Sequence, residues 1–262
     1  MSRLLQHVIR RRPRPGADVF RLEGVNVSFR RNAIEERSLK HALMGLVKDR
    51  GPALHRALQD VTLTVRRGEH VGVIGRNGAG KSTLLRVLAR VITPQAGRVY
   101  VDGKLHVVPL LELGIGFQAD LSGVENAHIA GALMGYSWAE IDSKMKAIVE
   151  FAELDGFIHE PVKNYSSGMY ARLAFALATD VEPEVLLVDE VFGVGDEFFM
   201  EKCVERMQRL MRAGTTTVFV SHNLDFLIEQ CDRLIWLDEG RVVADGPAPV
   251  VAKAYRGARG TS

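Results

Sequence analysis

The chain is poor in cysteine, with only Cys203 and Cys231 in 262 residues. No CxxC pair and no Cys/His ligand spacing accompanies them. That argues against a zinc site and against a disulfide scaffold, and predicts two reduced, partly buried thiols in a cytosolic setting. The chain also lacks any run of about 18 apolar residues, so it does not itself span a membrane. Its start has no apolar core followed by a cleavage site, and no export signal is expected. Neither an internal repeat nor a low-complexity segment breaks it up. One sign of charge hardly exceeds the other. The formal net charge is +2, too small to argue for a nucleic-acid partner, and no basic stripe interleaved with aromatics is present. Basic residues do gather at Arg10, Arg11, Arg12 and Arg14, around Pro13 and Pro15. Residues 1–16 therefore read as a basic tail, either solvated or touching a membrane surface or a partner.

What is present is core-forming. Hydrophobic residues make up 47%, enough to bury a sizeable interior. FRLEGVNVSF (20–29) and ALQDVTLTV (57–65) alternate apolar and polar residues, as half-buried strands do. Between them, over about 30–56, lies an inserted polar and basic segment. Its Leu39, Leu43, Leu46 and Val47 have helical spacing up to Gly51 and Pro52, which predicts a short amphipathic helix. VGVIG (71–75), VLLVD (185–189) and TTTVFVS (215–221) read as buried strands. A helix is expected over 81–90 and a further strand at GRVYVDG. The middle, about 112–173, reads as loop followed by helices. There Ser137 and Glu140 form a capping box ahead of Ile141, Met145, Ile148 and Val149, whose role is core packing. A helix carrying Cys203, Val204, Met207 and Leu210 follows the 185–189 strand, and DRLIWLDEGRVVADG reads as a hairpin turning at Glu239-Gly240. The predicted fold is α/β, with a mostly parallel sheet and a helical insertion.

The stretch Gly75-Arg76-Asn77-Gly78-Ala79-Gly80-Lys81-Ser82 fits G-x-x-x-x-G-K-[ST]. It follows a buried strand and opens a helix, the context that a phosphate loop needs. Backbone N–H groups from Asn77 to Ser82 can curl round a phosphate only where side chains stay clear, and Gly78 and Gly80 allow that approach. The helix N-terminus adds partial positive charge. Lys81 supplies a point charge to the β- and γ-phosphates, and the Ser82 hydroxyl can ligate Mg²⁺. Asp189 ends a buried strand and can hold the same ion. Glu190 follows it and can polarise an attacking water. Far from these, NYSSGMYARLAFALAT (164–179) opens an apolar helix with two serines and a glycine. Ser166 can cap that helix, and its hydroxyl with the amides after it can bind an anion.

Together these residues resemble the ATP-binding-cassette (ABC) ATPases over about residues 19–256. GRNGAGKST, ending at Thr83, looks like the family's Walker A, and VLLVDE like its Walker B with the catalytic glutamate. VSHN (220–223) looks like the switch region that brings His222 to the γ-phosphate. YSSGM stands where the family has LSGGQ, and LSGVEN (121–126) resembles the run after the Q-loop, where the ATPase meets a membrane partner. The resemblance implies that residues 17–262 form a single ABC cassette, a P-loop NTPase core with a mostly parallel sheet, an antiparallel β subdomain and an inserted helical subdomain, and an ATPase using ATP and Mg²⁺. Glu190, His222 and Lys81 would be catalytic, and Ser82, Asp189 and Glu112 would face the metal. Residues 75–83 would hold ATP, with Ser166, Ser167, Gly168 and the D-loop Asp196 contributing across a dimer. The Q-loop position falls on Glu112 or Gln118, and the adenine-stacking position on Phe29 or His55.

The signature cannot easily reach the phosphate loop of its own chain, because the helical insertion carries it away. The resemblance implies that two cassettes pack head to tail, and one copy of each motif per chain then implies a homodimer with C2 symmetry. Tyr165, Ser167 and Met169 depart from the usual signature, and GVGDEFF (193–199) stands where S-A-L-D is common. With LLELGIGFQADLSGVEN, these letters resemble the subfamily that exports polysaccharides: O-antigen, capsule, teichoic acid and related cell-wall glycans. That implies a peripheral ATPase on the cytoplasmic face of the cell membrane, bound to two transmembrane permease subunits that move a lipid-linked glycan, with no nucleic acid involved. Another ABC exporter, or an importer of small molecules, is the alternative. The sequence ends with DGPAPVVAKAYRGARGTS, and the extra carbohydrate-binding domain that some exporters of this type carry after the cassette is not expected.

Overall fold

The computed structural model describes residues 17–30, 54–103, 105–111, 114, 116–189 and 197–259. The basic tail and the helix expected within 33–50 lie outside them. The strands are β1 (Asp18–Arg30), β2 (Leu54–Arg66), β3 (His70–Ile74), β4 (Ala96–Val101), β5 (Val107–Leu110), β6 (Val185–Asp189), β7 (Thr216–Val220), β8 (Arg233–Asp238) and β9 (Arg241–Pro247). The helices are α1 (Lys81–Leu88), α2 (Gly123–Leu133), α3 (Trp138–Ala152), α4 (Ser167–Asp180), α5 (Glu197–Arg212), α6 (Leu224–Gln230) and α7 (Ala248–Arg259).

Two sheets form. One is antiparallel, in the order β2-β1-β4; the other has the order β5-β6-β7-β3-β8-β9 and is parallel except for β9. Strand pleating divides the interior in two. Val185 and Leu187 of β6, Val218 and Val220 of β7, and Ile235 and Leu237 of β8 join a cluster with α1 and the antiparallel sheet. Their neighbours Leu186, Val188, Phe219 and Leu234 point the other way, into a cluster with the remaining helices. Period-two alternation on strands buried on both faces thus seats a β layer on one side and helices on the other.

Several elements differ from the sequence expectation. α1 ends at Leu88 rather than Arg90. Arg86 O accepts from both Val91 N and Ile92 N, and Arg90 takes a positive φ of 59°, which stops the helix. β1 and β2 run further than their alternation predicts, to the pair Arg30↔Leu54. α4 continues to Asp180, where the carboxylate is held by Lys144 of α3 (3.6 Å) and Arg206 of α5 (3.0 Å). β5, α2, α6 and α7 are elements the alternation and spacing did not reveal. The Ser137–Glu140 capping box and the Glu239-Gly240 turn stand where expected.

One side chain does much to tie the helical part to the chain before it. Asn126 on α2 is fully buried. Its Oδ1 accepts from Gln118 N–H (2.6 Å), and its Nδ2 donates to the carbonyls of Gln118, Leu121 and Ser122 (2.9–3.0 Å). Each of these carbonyls also accepts a backbone N–H, from Leu121, Val162 and Asn126 itself, so Asn126→Ala strands only the Gln118 N–H and opens a gap at a buried position; it is expected to cost about 1–3 kcal/mol in a denaturant melt. Asn126→Asp should cost more, because a carboxylate would face three carbonyl oxygens. An aspartate variant as stable as wild type would overturn this role.

Both cysteines are buried. Burial pushes the Cys203 thiol up to about 12, with Arg206 and Arg172 opposing weakly. It also pushes Cys231 up, with Asp232 adding to the effect. Neither is a reactive thiolate near neutral pH.

Candidate functional site

The site is built at the carboxyl ends of parallel strands, where open α/β sheets place their ligands. Register fixes the level. Val220 of β7 pairs with Val73 of β3 on one side and Asp189 of β6 on the other. The phosphate loop after β3, His222 after β7 and Asp189 at the end of β6 therefore leave the sheet side by side.

A cleft of about 340 Å³ opens there. Asn77, Gly78, Gly80, Lys81, Ser82 and Thr83 form its floor, and His222 stands on one wall. Phe29 and His55 line it too, and they are direct partners on the β1–β2 ladder. The two alternatives for the aromatic position thus flank one spot. Lys81 is buried, and its Nζ donates to the carbonyls of Gly75 (3.1 Å) and Arg76 (3.2 Å), so the loop curls round the ammonium. Ala57 and Val220 complete the lining. No local sequence signal points to either, because both arrive from strands distant in the chain.

The two glycines prove to have different duties. Gly78 has φ 79° and faces open space, as close approach of a phosphate requires. Gly80 has φ 103°, and a Cβ there would lie 2.3 Å from the carbonyl of Ala57 on β2. It is a glycine because a strand backs it, and only its φ and backbone matter to the cleft.

The remaining expected residues divide. Gly75 lines an adjoining cleft with His222 and Asn223. Ala79 is buried in the core and its N–H donates to Arg76 O (3.1 Å), while Arg76 is exposed. Gln118 is exposed and is not part of the cleft lining. Glu112, Glu190 and Asp196 lie outside the described residues.

Ser166, Ser167 and Gly168 are not in the cleft either. They begin α4, which packs on α2, α3, α5 and β5. Ser166 is its N-cap, with Oγ accepting from Met169 N–H (3.2 Å). The flanking tyrosines anchor this end. Tyr165 donates to Phe157 O (2.9 Å) and Tyr170 to Gly114 O (3.1 Å). In the sequence Tyr165 stands only as a departure from the signature that marks the subfamily, and nothing there signals the role of Tyr170. Among the described residues no helix is long and apolar enough to cross a membrane.

Comparison with known proteins agrees with this geometry. The family described as "ABC transporter" matches residues 58–193. The chain is 42% identical over 245 residues to the O-antigen export system ATP-binding protein RfbB of Myxococcus xanthus, covering 91% of this chain and 56% of that protein. It is 44% identical over 200 residues to the protein of the same name from Klebsiella pneumoniae, covering 76% of this chain and 80% of that one. The teichoic acids export ATP-binding protein TagH of Listeria monocytogenes is 40% identical over 199 residues, covering 76% and 58%. The chain thus spans little more than half the length of some of these relatives. Among solved structures, a dimeric ATP-binding cassette in a post-hydrolysis state with ADP and Pi superposes with a TM-score of 0.69 at 21% identity, covering 87% of this chain and 98% of that one. An ATP-binding subunit of an ABC transporter gives 0.71 at 22%, covering 90% and 93%.

Proposed function

The chain belongs to the ABC transporter family, and from that premise we propose that it is the ATP-hydrolysing subunit of an exporter of a lipid-linked polysaccharide. It works as a homodimer on the cytoplasmic face of the cell membrane, beside two transmembrane subunits. The observation that carries the ATPase reading is the single cleft in which the phosphate loop, Lys81, Ser82 and His222 face one another beneath Phe29 and His55. The glycan assignment is supported by identities of 40–44% to ATP-binding proteins named for O-antigen and teichoic acid export.

The chain's own groups divide the work. Loop amides and the Lys81 ammonium bind the phosphates, and the Phe29/His55 pair offers flat surfaces to the base. His222 reaches the γ-phosphate from the neighbouring strand end. Glu190, one residue beyond β6, takes the proton of the attacking water. The capped start of α4, with Ser166, Ser167 and Gly168, offers amides to the γ-phosphate held by a second copy of the chain, and Asp196, as the D-loop acid, contributes across the same dimer. Ser82 and Asp189 offer hard oxygen donors, a set that suits Mg²⁺. With Glu112 as a further candidate ligand, an ion here would complete its shell with phosphate and water oxygens. When bound, it would neutralise charge on the β- and γ-oxygens.

The test is removal of the protein from its source cell. Export predicts loss of surface glycan with lipid-linked glycan accumulating inside, restored by the wild-type chain. Intact surface glycan with lost uptake of a small molecule would overturn it in favour of an importer.

A further inference from the structure

We infer that Tyr170 is a positioning residue: its hydroxyl ties the first turn of α4 to Gly114 and its ring packs on Phe117, so the anion-binding end of α4 keeps a fixed place against these two residues. This rests on the reading of that helix end as a phosphate-binding element. Tyr170 and Ser166 form one rigid unit. Tyr170 N–H donates to Ser166 O (3.0 Å), while Ser166 Oγ caps the same turn. On the other side, Gly114 follows the end of β5 by four residues. Its carbonyl accepts from Tyr170 Oη (3.1 Å) and from Phe117 N–H (2.9 Å), so both lone pairs are used. The Tyr170 ring packs edge-on against Phe117, with centroids 5.1 Å apart.

Gly114 is shaped for this ring. It has φ 77°, and a Cβ there would lie 2.4 Å from both the hydroxyl oxygen and Cε1 of Tyr170. Burial pushes the Tyr170 phenol up, which keeps it a donor throughout the neutral range. None of Tyr170, Gly114 or Phe117 lines the nucleotide cleft. The contact therefore acts on where the α4 end sits, not on how the chain grips ATP through its own loop.

Tyr170→Phe keeps the ring and removes one hydrogen bond. The loss of a neutral hydrogen bond corresponds to about a 3- to 10-fold change in equilibrium. In the full-length protein, hydrogen exchange of the Phe117 amide should quicken by about that factor. kcat for ATP should fall about 3- to 10-fold, with the Kd for ATP unchanged. A double-mutant cycle isolates the contact. Gly114→Ala should slow turnover strongly beside Tyr170, and much less in a Tyr170→Ala background, where only the φ penalty remains. Unchanged Phe117 exchange in Tyr170→Phe, with Gly114→Ala equally harmful in both backgrounds, would overturn the inference. A wild-type protein without ATPase activity would overturn the proposed function alone. The exchange measurement would then still decide for or against the clamp.

Discussion

Glu190→Gln is expected to bind ATP as wild type does and to turn it over about 10²–10³ times more slowly. The reasoning begins at the sheet. β6 ends at Asp189, half-buried and level with Val220, from which the chain runs on to His222. Glu190 is the next residue in the chain. Glutamine keeps the shape of glutamate and cannot take a proton from water. Nucleotide binding, which rests on Lys81, Ser82 and the loop amides, should therefore persist. With binding intact and hydrolysis stalled, two copies should stay closed on ATP, visible as a nucleotide-dependent dimer in gel filtration. Wild-type turnover would remove Glu190 as the base. Lost ATP binding would mean that the residue shapes the site rather than the chemistry.

How much of this could be read beforehand depends on how local each signal is. The phosphate loop is a contiguous string whose function follows from backbone geometry, and it stands where the string put it. The Ser137–Glu140 box and the Glu239-Gly240 turn are equally local. β5 went unread because VVPL contains Pro109, which removes a ladder donor. It is tolerated because β5 is an edge strand, and only sheet order reveals that. α2 has no apolar stripe to detect, since its buried face includes Asn126 and His128. His128 is satisfied by Val124 O and Asp142 Oδ1 and stacks on Trp138. α7 does carry the pattern, with Ala248, Val251, Ala252 and Tyr255 buried.

Long-range partners were out of reach of any local pattern. The sequence motif assigns Gly80 to the ligand, yet its Cβ position is occupied by strand β2, 23 residues earlier at Ala57. The signature raised the same difficulty. Tyr165 looked like a mere departure from a motif. In the fold its hydroxyl reaches Phe157 O and sits where a Cβ on Gly123 would lie, 2.4 Å away. With Tyr170 on Gly114, the altered letters anchor the helix end that Ser166 caps.

Lys81→Met should weaken ATP binding about 10²-fold. The variant keeps a flexible stem of similar length in a buried position and removes the ammonium. A hydrogen bond to a charged group contributes about 1.5–3 kcal/mol, and about 2.7 kcal/mol corresponds to the predicted factor. Lys81 also donates to the carbonyls of Gly75 and Arg76, so its loss could act by slackening the loop instead. AMP separates the two. It has no β- or γ-phosphate for Lys81 to meet, and its binding to the Phe29/His55 end of the cleft should be unchanged. Calorimetry with both nucleotides gives the answer. A large loss for ATP with none for AMP assigns Lys81 to the outer phosphates. Equal losses for both would assign it to the loop, and would overturn its role as the charge that holds ATP.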